Sequence, residues 1–227
     1  MTVIDDNPPA EADPQRLTPE LLLWAYQHGW FPMGDPEAGQ IEWFNPDPRA
    51  IIPLETFHLP QTLAREVRKG RFEIRCDSVF KDVMRACAAP RDPDDLTWID
   101  DAIIEAYVLL HTQGNAHSIE AWLDDQLVGG LYGVHVGGAF FGESMFSRYD
   151  RGGSNASKVC LVHLVGWLRN RGFTLLDTQF HTEHLDQFGC VEIDRGQYLA
   201  RLAEAVRRDA TWGDFRVLSD TTDSLSP

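Results

Sequence analysis

The 227-residue sequence is poor in cysteine and in positive charge, and each shortage excludes a class of protein. Four cysteines stand at positions 76, 87, 160 and 190 without a CxxC pair, so they form neither a zinc frame nor a disulfide scaffold. No uninterrupted apolar run approaches the roughly 20 residues that span a bilayer. The 20 Lys and Arg stand against 35 Asp and Glu, a net charge of −15. Any nucleic-acid contact must therefore be a local patch.

What is present suits a globular protein, with 43% hydrophobic and 24% charged residues. The N-terminus carries acids where a secretory signal carries a basic head and an apolar stretch, so we expect a cytoplasmic protein. Residues 1–14 and 217–227 are polar and predict mobile tails, the first of them acidic. A proline-rich break near position 47 predicts a small N-terminal domain over 15–47 and a larger domain over 48–216. A second break at 89–95 is equally loop-like, and the sequence does not rank the two.

The order of predicted elements indicates an α+β fold. Thr18 and Pro19 predict the start of a first helix that ends at Gly29. The aromatic- and proline-dense stretch 30–48 predicts a rigid surface loop. Strands are expected over 117–123 and 127–135, joined as a hairpin, over 139–141 and over 173–177. Helices are expected over 100–114 and 154–169.

Three polar residues stand out as candidates for chemistry. Glu143 follows an apolar strand, where an ionised carboxylate is costly unless it binds a cation; the alternative is a salt bridge to Arg148 or Arg151. Asp177 and Gln179 end another apolar strand, two residues apart, which predicts active-site geometry at the sheet edge. The alternative for Asp177 is a cap on the next helix. A Gly-rich turn before the helix at 154 suits an anion or a polarised carbonyl, or else Ser154 or Asn155 simply caps that helix.

Two further patterns bear on partners. His181 and His184 are spaced for one helix face but have no third ligand nearby, so no metal site is expected. The window 65–75 carries five cations against Glu66 and Glu73, which predicts a phosphate-binding patch or an ordinary solvated face. Its cations are Arg65, Arg68, Lys69, Arg71 and Arg75.

A set of motifs carries a family resemblance, in order, over about residues 18–205. They are Trp30-Phe31-Pro32-Met33, Asn45-Pro46-Asp47-Pro48-Arg49, Thr97-Trp98-Ile99, the segments 117–122 and 127–134, Phe141-Gly142-Glu143-Ser144-Met145-Phe146-Ser147-Arg148, Asn155-Ala156-Ser157-Lys158 and Leu176-Asp177-Thr178-Gln179. Together they resemble the bacterial leucyl/phenylalanyl-tRNA-protein transferases. The resemblance implies a small N-terminal domain followed by an acyltransferase-like catalytic domain of the N-acetyltransferase superfamily (GNAT-like). It also implies transfer of Leu or Phe from aminoacyl-tRNA to proteins with an N-terminal Arg or Lys, which marks them for degradation, with no cofactor, metal or membrane.

The same resemblance implies residue roles. Asp177 would draw a proton from the incoming amine, with Gln179 orienting or relaying. Glu143 and Ser147 would hold the aminoacyl amino group, Trp98 would lie against the terminal adenosine, and the 65–75 window would hold the acceptor stem. The remaining substrate-binding residues are expected to be Asn155, Thr182 and a side-chain pocket of Leu131, Phe140, Leu161, Leu164, Leu168 and Leu176.

Two rival functions stay open at this stage. A small-molecule N-acetyltransferase would share the fold, although the usual Gln/Arg-x-x-Gly-x-Gly/Ala pyrophosphate loop is missing. A non-catalytic aminoacyl-tRNA-binding module would keep the patch and the pocket without needing both Asp177 and Gln179.

Overall fold

A computed structural model describes residues 17–90, 96–218 and 221–225. The helices are α1 (Pro19–Gln27), α2 (Gln61–Lys69), α3 (Phe80–Ala88), α4 (Asp101–Thr112), α5 (Ala156–Asn170), α6 (Glu183–Asp186), α7 (Arg195–Ala205) and α8 (Thr221–Ser224), with a 3₁₀ turn at Tyr149–Arg151. The strands are β1 (Phe31–Asp35), β2 (Gln40–Phe44), β3 (Arg49–Ile51), β4 (Glu73–Cys76), β5 (Ala116–Leu123), β6 (Gln126–Val136), β7 (Ala139–Ser147), β8 (Leu175–Gln179) and β9 (Val191–Ile193).

Seven strands form one mixed sheet in the order β4-β5-β6-β7-β8-β3-β9. Every neighbouring pair is antiparallel except β7 and β8, which run parallel and are connected through α5. The predicted α+β class with a mixed sheet is confirmed. Since β7 and β8 point the same way, their carboxyl ends open at one edge of the sheet, where ligands bind in open sheets.

Each face of the sheet is covered by its own apolar core. On β6, successive side chains point to opposite faces, so Leu131 packs with the α5 side chains while Tyr132 packs with those of α3 and α4. Helix α5 lies unusually close to the sheet, because a Cβ on Gly129 would come within 2.4 Å of the Ala156 Cβ. The sheet therefore separates an α5 side from an α1, α3 and α4 side. None of the helices in the described ranges is long and apolar enough to span a bilayer.

The N-terminal segment packs into the second of these cores. Helix α1 begins as predicted, since Thr18 accepts a hydrogen bond from the Leu21 N–H, and it buries Tyr26 beside Phe141. The described part of the predicted 15–47 domain thus shares its core with the sheet. Residues 1–14, predicted to be a mobile tail, lie outside the described residues.

The predicted surface loop over 30–48 was wrong. Strands β1 and β2 form an antiparallel hairpin in which Phe31 pairs with Phe44 and Pro32 pairs with Trp43. In a two-stranded ribbon the outer edge of each strand pairs with no other strand. Pro32 has no N–H, and on that outer edge no interstrand hydrogen bond is lost.

Other predicted helices and strands are present in the structure, but some of them differ in length from the prediction. Helix α4, capped by Asp100, and the β5–β6 hairpin lie where the sequence predicts them. Strand β7 continues to Ser147 instead of ending at 141, because β6 pairs with it over its whole length. The segment 217–227 was expected to be mobile, but its described part contains α8 and buries Leu225 in the core.

Candidate active site

A cavity of about 900 Å³ opens beside the carboxyl ends of β7 and β8. Its walls come from β6, β7, β8, α5 and the β1–β2 hairpin. The structure brings together there nine of the residues predicted for substrate binding or catalysis, namely Leu131, Glu143, Ser147, Leu161, Leu164, Leu176, Gln179, Thr182 and Trp98.

The other four predicted residues are described by the structure but do not line the cavity. Phe140 and Leu168 are fully buried in the core, Phe140 against Trp212. Asn155 precedes α5 with a positive φ of 63°, and Asp177 lies fully buried behind the wall.

One deep part of the cavity is lined by aliphatic side chains. Leu131 of β6, Leu161 and Leu164 of α5 and Leu176 of β8 meet there. Met145, the cross-strand partner of Leu131, completes the wall and was missed by the sequence reasoning. It would have been found had β7 been predicted beyond position 141, since the alternation along a strand places it opposite Leu131.

Glu143 also lines the cavity, and a β-bulge sets the direction of its side chain. In the β6–β7 ladder Tyr132 pairs with Ser144 and Gly133 with Gly142, which leaves Glu143 as the extra residue. Glu143 Oε1 accepts a hydrogen bond from the Tyr26 hydroxyl at 2.7 Å. The hydroxyl of Tyr107 bonds that of Tyr26 and donates to Oε2 at 3.5 Å. The expected alternative, a salt bridge to Arg148 or Arg151, does not occur within the described part of the chain.

Burial raises the pKa of Glu143 to about 8, with the Tyr26 hydrogen bond opposing this and the nearby Asp177 charge adding to it. Burial therefore favours the protonated form of this carboxyl group. A ligand ammonium would change that balance, because an opposite charge favours the ionised form.

Gln179 projects toward Glu143 from a strained turn. Its φ is 59°, and the Phe180 N–H donates to the Thr178 carbonyl at 2.7 Å, the pattern of a classic γ-turn. The Asp177 Oδ1 accepts the Gln179 N–H at 2.8 Å and holds this turn. The Gln179 Nε2 thereby lies 3.4 Å from Glu143 Oε1.

Asp177 is saturated with donors. Arg49 Nε and Nη2 donate to its two oxygens at 3.0 and 2.7 Å, and the Tyr198 hydroxyl donates at 2.7 Å. Burial lowers the pKa of Arg49, but the charge and hydrogen bonds of Asp177, with smaller contributions from Tyr198 and Glu143, together outweigh it, and the net shift is upward. The guanidinium also lies over the Phe31 and Tyr198 rings. Asp177 contacts no helix N–H in the described contacts, so the capping alternative was wrong, and Arg49 was not singled out from the sequence as its partner.

Ser147 reaches the N-terminus of α5. Its Oγ accepts the Ser157 N–H at 3.0 Å and lies 3.0 Å from the Ser157 hydroxyl. Asn155 makes no side-chain cap, so the expected cap by Ser154 or Asn155 is replaced by one from the neighbouring strand. Sequence proximity had pointed to the wrong residue.

The predicted basic window spans α2 and β4. Lys69 pairs with Glu66, and Arg75 pairs with Glu73 and Asp125. Arg65, Arg68 and Arg71 are exposed and form no ion pair with any described residue. Three cations thus remain available from five.

The histidines are accounted for separately. His181 Nε2 lies 2.5 Å from Asp186 Oδ1, and His184 lines the cavity. Across the described ranges no group of three His, Cys, Asp or Glu side chains could hold a metal ion.

The mixed α+β sheet, together with a cavity that combines aliphatic side chains with a carboxyl group, defines the class of acyl-group transferases. The chain belongs to the leucyl/phenylalanyl-tRNA protein transferase family: the model of that family matches residues 51–203, and the model of its N-terminal domain matches residues 15–47.

Curated relatives of this family are similar to almost the whole chain. The leucyl/phenylalanyl-tRNA--protein transferase of Paramagnetospirillum magneticum is 52% identical over 199 residues, which cover 87% of this chain and 93% of that protein. That of Gloeobacter violaceus is 53% identical over 190 residues, 84% of this chain and 94% of the relative.

Solved structures are less similar. A ribosomal-protein-alanine N-acetyltransferase from Brucella melitensis is 16% identical with a TM-score of 0.36, covering 65% of this chain and 98% of that one. An aminoglycoside acetyltransferase from a soil metagenome is 15% identical with a TM-score of 0.40, covering 66% and 99%. The fold class therefore rests on the sheet itself.

Proposed function

We propose that this protein transfers Leu or Phe from aminoacyl-tRNA to the α-amino group of proteins that begin with Arg or Lys, marking them for degradation. The observation that carries the proposal is a cavity lined both by aliphatic side chains and by the partly buried Glu143. An aliphatic or aromatic side chain fills the pocket, and the amino group on its α-carbon meets the carboxyl group.

The chemistry is aminolysis of an ester that the tRNA already activates. The acceptor nitrogen forms an amide bond to the carbonyl carbon, the bond to the ribose 3′ oxygen breaks, and one proton passes from nitrogen to the departing oxygen. Nothing is oxidised or reduced, so the reaction calls for positioning and charge stabilisation and uses no cofactor.

Glu143 and Gln179 would be the polar groups nearest the reacting carbonyl. Glu143 holds the donor amino group, and the adjacent Gln179 amide orients the reacting groups. Asp177 acts through Gln179, since its oxygens are occupied by Arg49, Tyr198 and the Gln179 N–H. Proton transfer to Asp177 itself would have to displace one of these donors.

The partners follow from this arrangement. Trp98, on the cavity wall, would lie against the terminal adenosine, and the unpaired cations Arg65, Arg68 and Arg71 would contact phosphates of the acceptor stem. Thr182 would contact the substrate directly at the margin of the site. Asn155 would contribute at the same margin without lining the cavity. A cytoplasmic location is expected, since both substrates are found there.

The test is transfer of labelled Leu from Leu-tRNA to a peptide that begins with Arg, with an N-acetylated copy of the peptide as control. We expect label on the free-amine peptide alone. Acetyl-CoA, the donor of the rival N-acetyltransferase function, should leave the melting temperature unchanged. No label transfer, together with a raised melting temperature in acetyl-CoA, would overturn the proposal.

A further inference from the structure

The rim of the cavity carries exposed aromatic side chains. Among the described residues the exposed large aromatics are Tyr149, 72% exposed, and Phe180, 45% exposed, and both line this cavity. Large rings left in water at the mouth of a cavity are typical of a surface that a ligand covers. Tyr149 and Phe180 differ in their distance along the chain from Glu143 and Gln179.

Phe180 directly follows Gln179, so their Cα atoms are about 3.8 Å apart. The γ-turn at Gln179, held by the Asp177 carboxylate, directs the Gln179 amide to Glu143 and leaves Phe180 at the mouth. Tyr149 lies instead beyond the end of β7, six residues from Glu143. Of the two exposed rings, Phe180 is thus the one next to Gln179.

The Phe180 ring is held in place by other aromatic rings. Phe31 contacts it edge to face at a centroid distance of 5.7 Å, and Phe44 does so at 6.5 Å. Both belong to the β1–β2 hairpin, which also holds Trp98, because the Gly34 N–H donates to the Trp98 carbonyl. Met33 lines the cavity between these two attachments. One wall is therefore an aromatic surface fixed before any ligand arrives.

We propose that Phe180 is a donor-binding residue that stacks on the terminal adenine of the aminoacyl-tRNA. This inference rests on the proposed function. The adenine is joined to the same ribose as the reacting ester, so it lies one sugar away from the carbonyl beside Gln179. An uncharged ring wall suits a flat neutral base, and every base presents a face for stacking.

A cationic acceptor side chain is the competing occupant of this wall. A carboxylate nearby would strengthen such binding, and the acidic side chains that line the described cavity are Glu143 and Asp150, the latter beside Tyr149. Neither belongs to the hairpin wall. The geometry accordingly favours the base over a guanidinium or ammonium group.

The test compares two probes of the donor site, the non-hydrolysable amide analogue of 3′-leucyl-adenosine and leucinamide, which lacks the nucleoside. Phe180→Ala should weaken binding of the nucleoside analogue about 5- to 100-fold and leave leucinamide within about 2-fold. Phe180→Leu, which keeps apolar bulk without a ring, should resemble Phe180→Ala. Phe180→Trp should restore the wild-type affinity. Tyr149→Ala, an equal aromatic loss on the same rim, is the matched control and should stay within about 3-fold.

Three results would overturn the inference: equal losses for both probes in Phe180→Ala, unchanged affinity for the nucleoside analogue, or a raised KM confined to the Arg-starting peptide. Leu transfer by the wild-type protein, measured on the same preparation, decides the proposed function separately. Wild-type transfer with an unaltered Phe180→Ala affinity would reject the stacking role alone.

Discussion

Glu143 combines a partly buried carboxyl group with a position on the cavity wall. The sequence pointed to this residue because a carboxylate among apolar neighbours needs a partner. It did not reveal the partners, since the Tyr26 hydroxyl comes from a helix 117 residues earlier and the bulge appears only in the β6–β7 register. Local sequence patterns identify a carboxyl group that is unfavourable to bury, while contacts between distant segments decide which partners stabilise it.

The raised pKa of Glu143 predicts how stability depends on pH. The pKa of the Glu143 carboxyl group is about 8 in the folded protein and about 4 in the unfolded chain. Between these pH values the folded protein keeps a proton that the unfolded chain has released, so the free energy of unfolding falls as the pH rises. Glu143→Gln cannot ionise and should remove this loss. We expect the wild type to lose at least about 1 kcal/mol relative to the variant between about pH 5 and pH 8. Denaturant titrations at both pH values measure it, and parallel curves would contradict the assignment.

The Arg49–Asp177 pair was missed as a pair because its members lie 128 residues apart in sequence. Asp177→Asn should lower the free energy of unfolding by about 3–5 kcal/mol, since it leaves a buried guanidinium without its counter-ion. The double variant Arg49→Met with Asp177→Leu should recover much of that loss and still fail in Leu transfer, because Gln179 loses its anchor.

The matched control is Asp82→Asn, which breaks the exposed Asp82–Arg85 pair at 3.7 Å and should change stability by at most about 0.5 kcal/mol. A similarly small effect of Asp177→Asn would mean that the buried pair is unimportant for stability.

Elements with local signals were predictable. Helices α1 and α4 and the β5–β6 hairpin have caps, periodicity and turn residues within their own segments. The β1–β2 hairpin and the second half of β7 were not predictable from the sequence, because each forms only through pairing with its partner strand. The cap on α5 failed for the same reason, as it comes from Ser147 on β7.

At the scale of elements, Ser147→Ala should destabilise the protein by about 0.5–2 kcal/mol, the cost of losing a helix cap. Ser154→Ala is the control, because Ser154 is exposed and should change stability by less than about 0.5 kcal/mol. Thermal unfolding of both variants measures the difference. Equal stabilities would show that Ser147 does not cap α5 and serves the ligand alone.

At the scale of the whole molecule, a protein with a net charge of −15 must bind tRNA through few contacts. Three unpaired cations in the 65–75 window predict a salt slope of log affinity of about −2 to −4. Reversing Arg68 and Arg71 to Glu should make the slope shallower by about 2 and weaken binding for every aminoacyl group alike, since phosphate contacts position without discriminating.

The matched control reverses Arg201 and Arg207, two exposed cations outside the window, and should leave the slope as it is. A salt titration of tRNA affinity separates the outcomes. An unchanged slope in the Arg68 and Arg71 variant would place the tRNA elsewhere on the surface.

In the proposed function, Glu143 holds the free amino group of the donor. The most direct measurement compares single-turnover transfer to an Arg-starting peptide from Leu-tRNA and from N-acetyl-Leu-tRNA. The acetyl group removes the ammonium and adds bulk against the Glu143 carboxyl group, so we predict transfer from Leu-tRNA and a loss of at least about 100-fold with the acetylated donor. Equal rates from the two donors would contradict it.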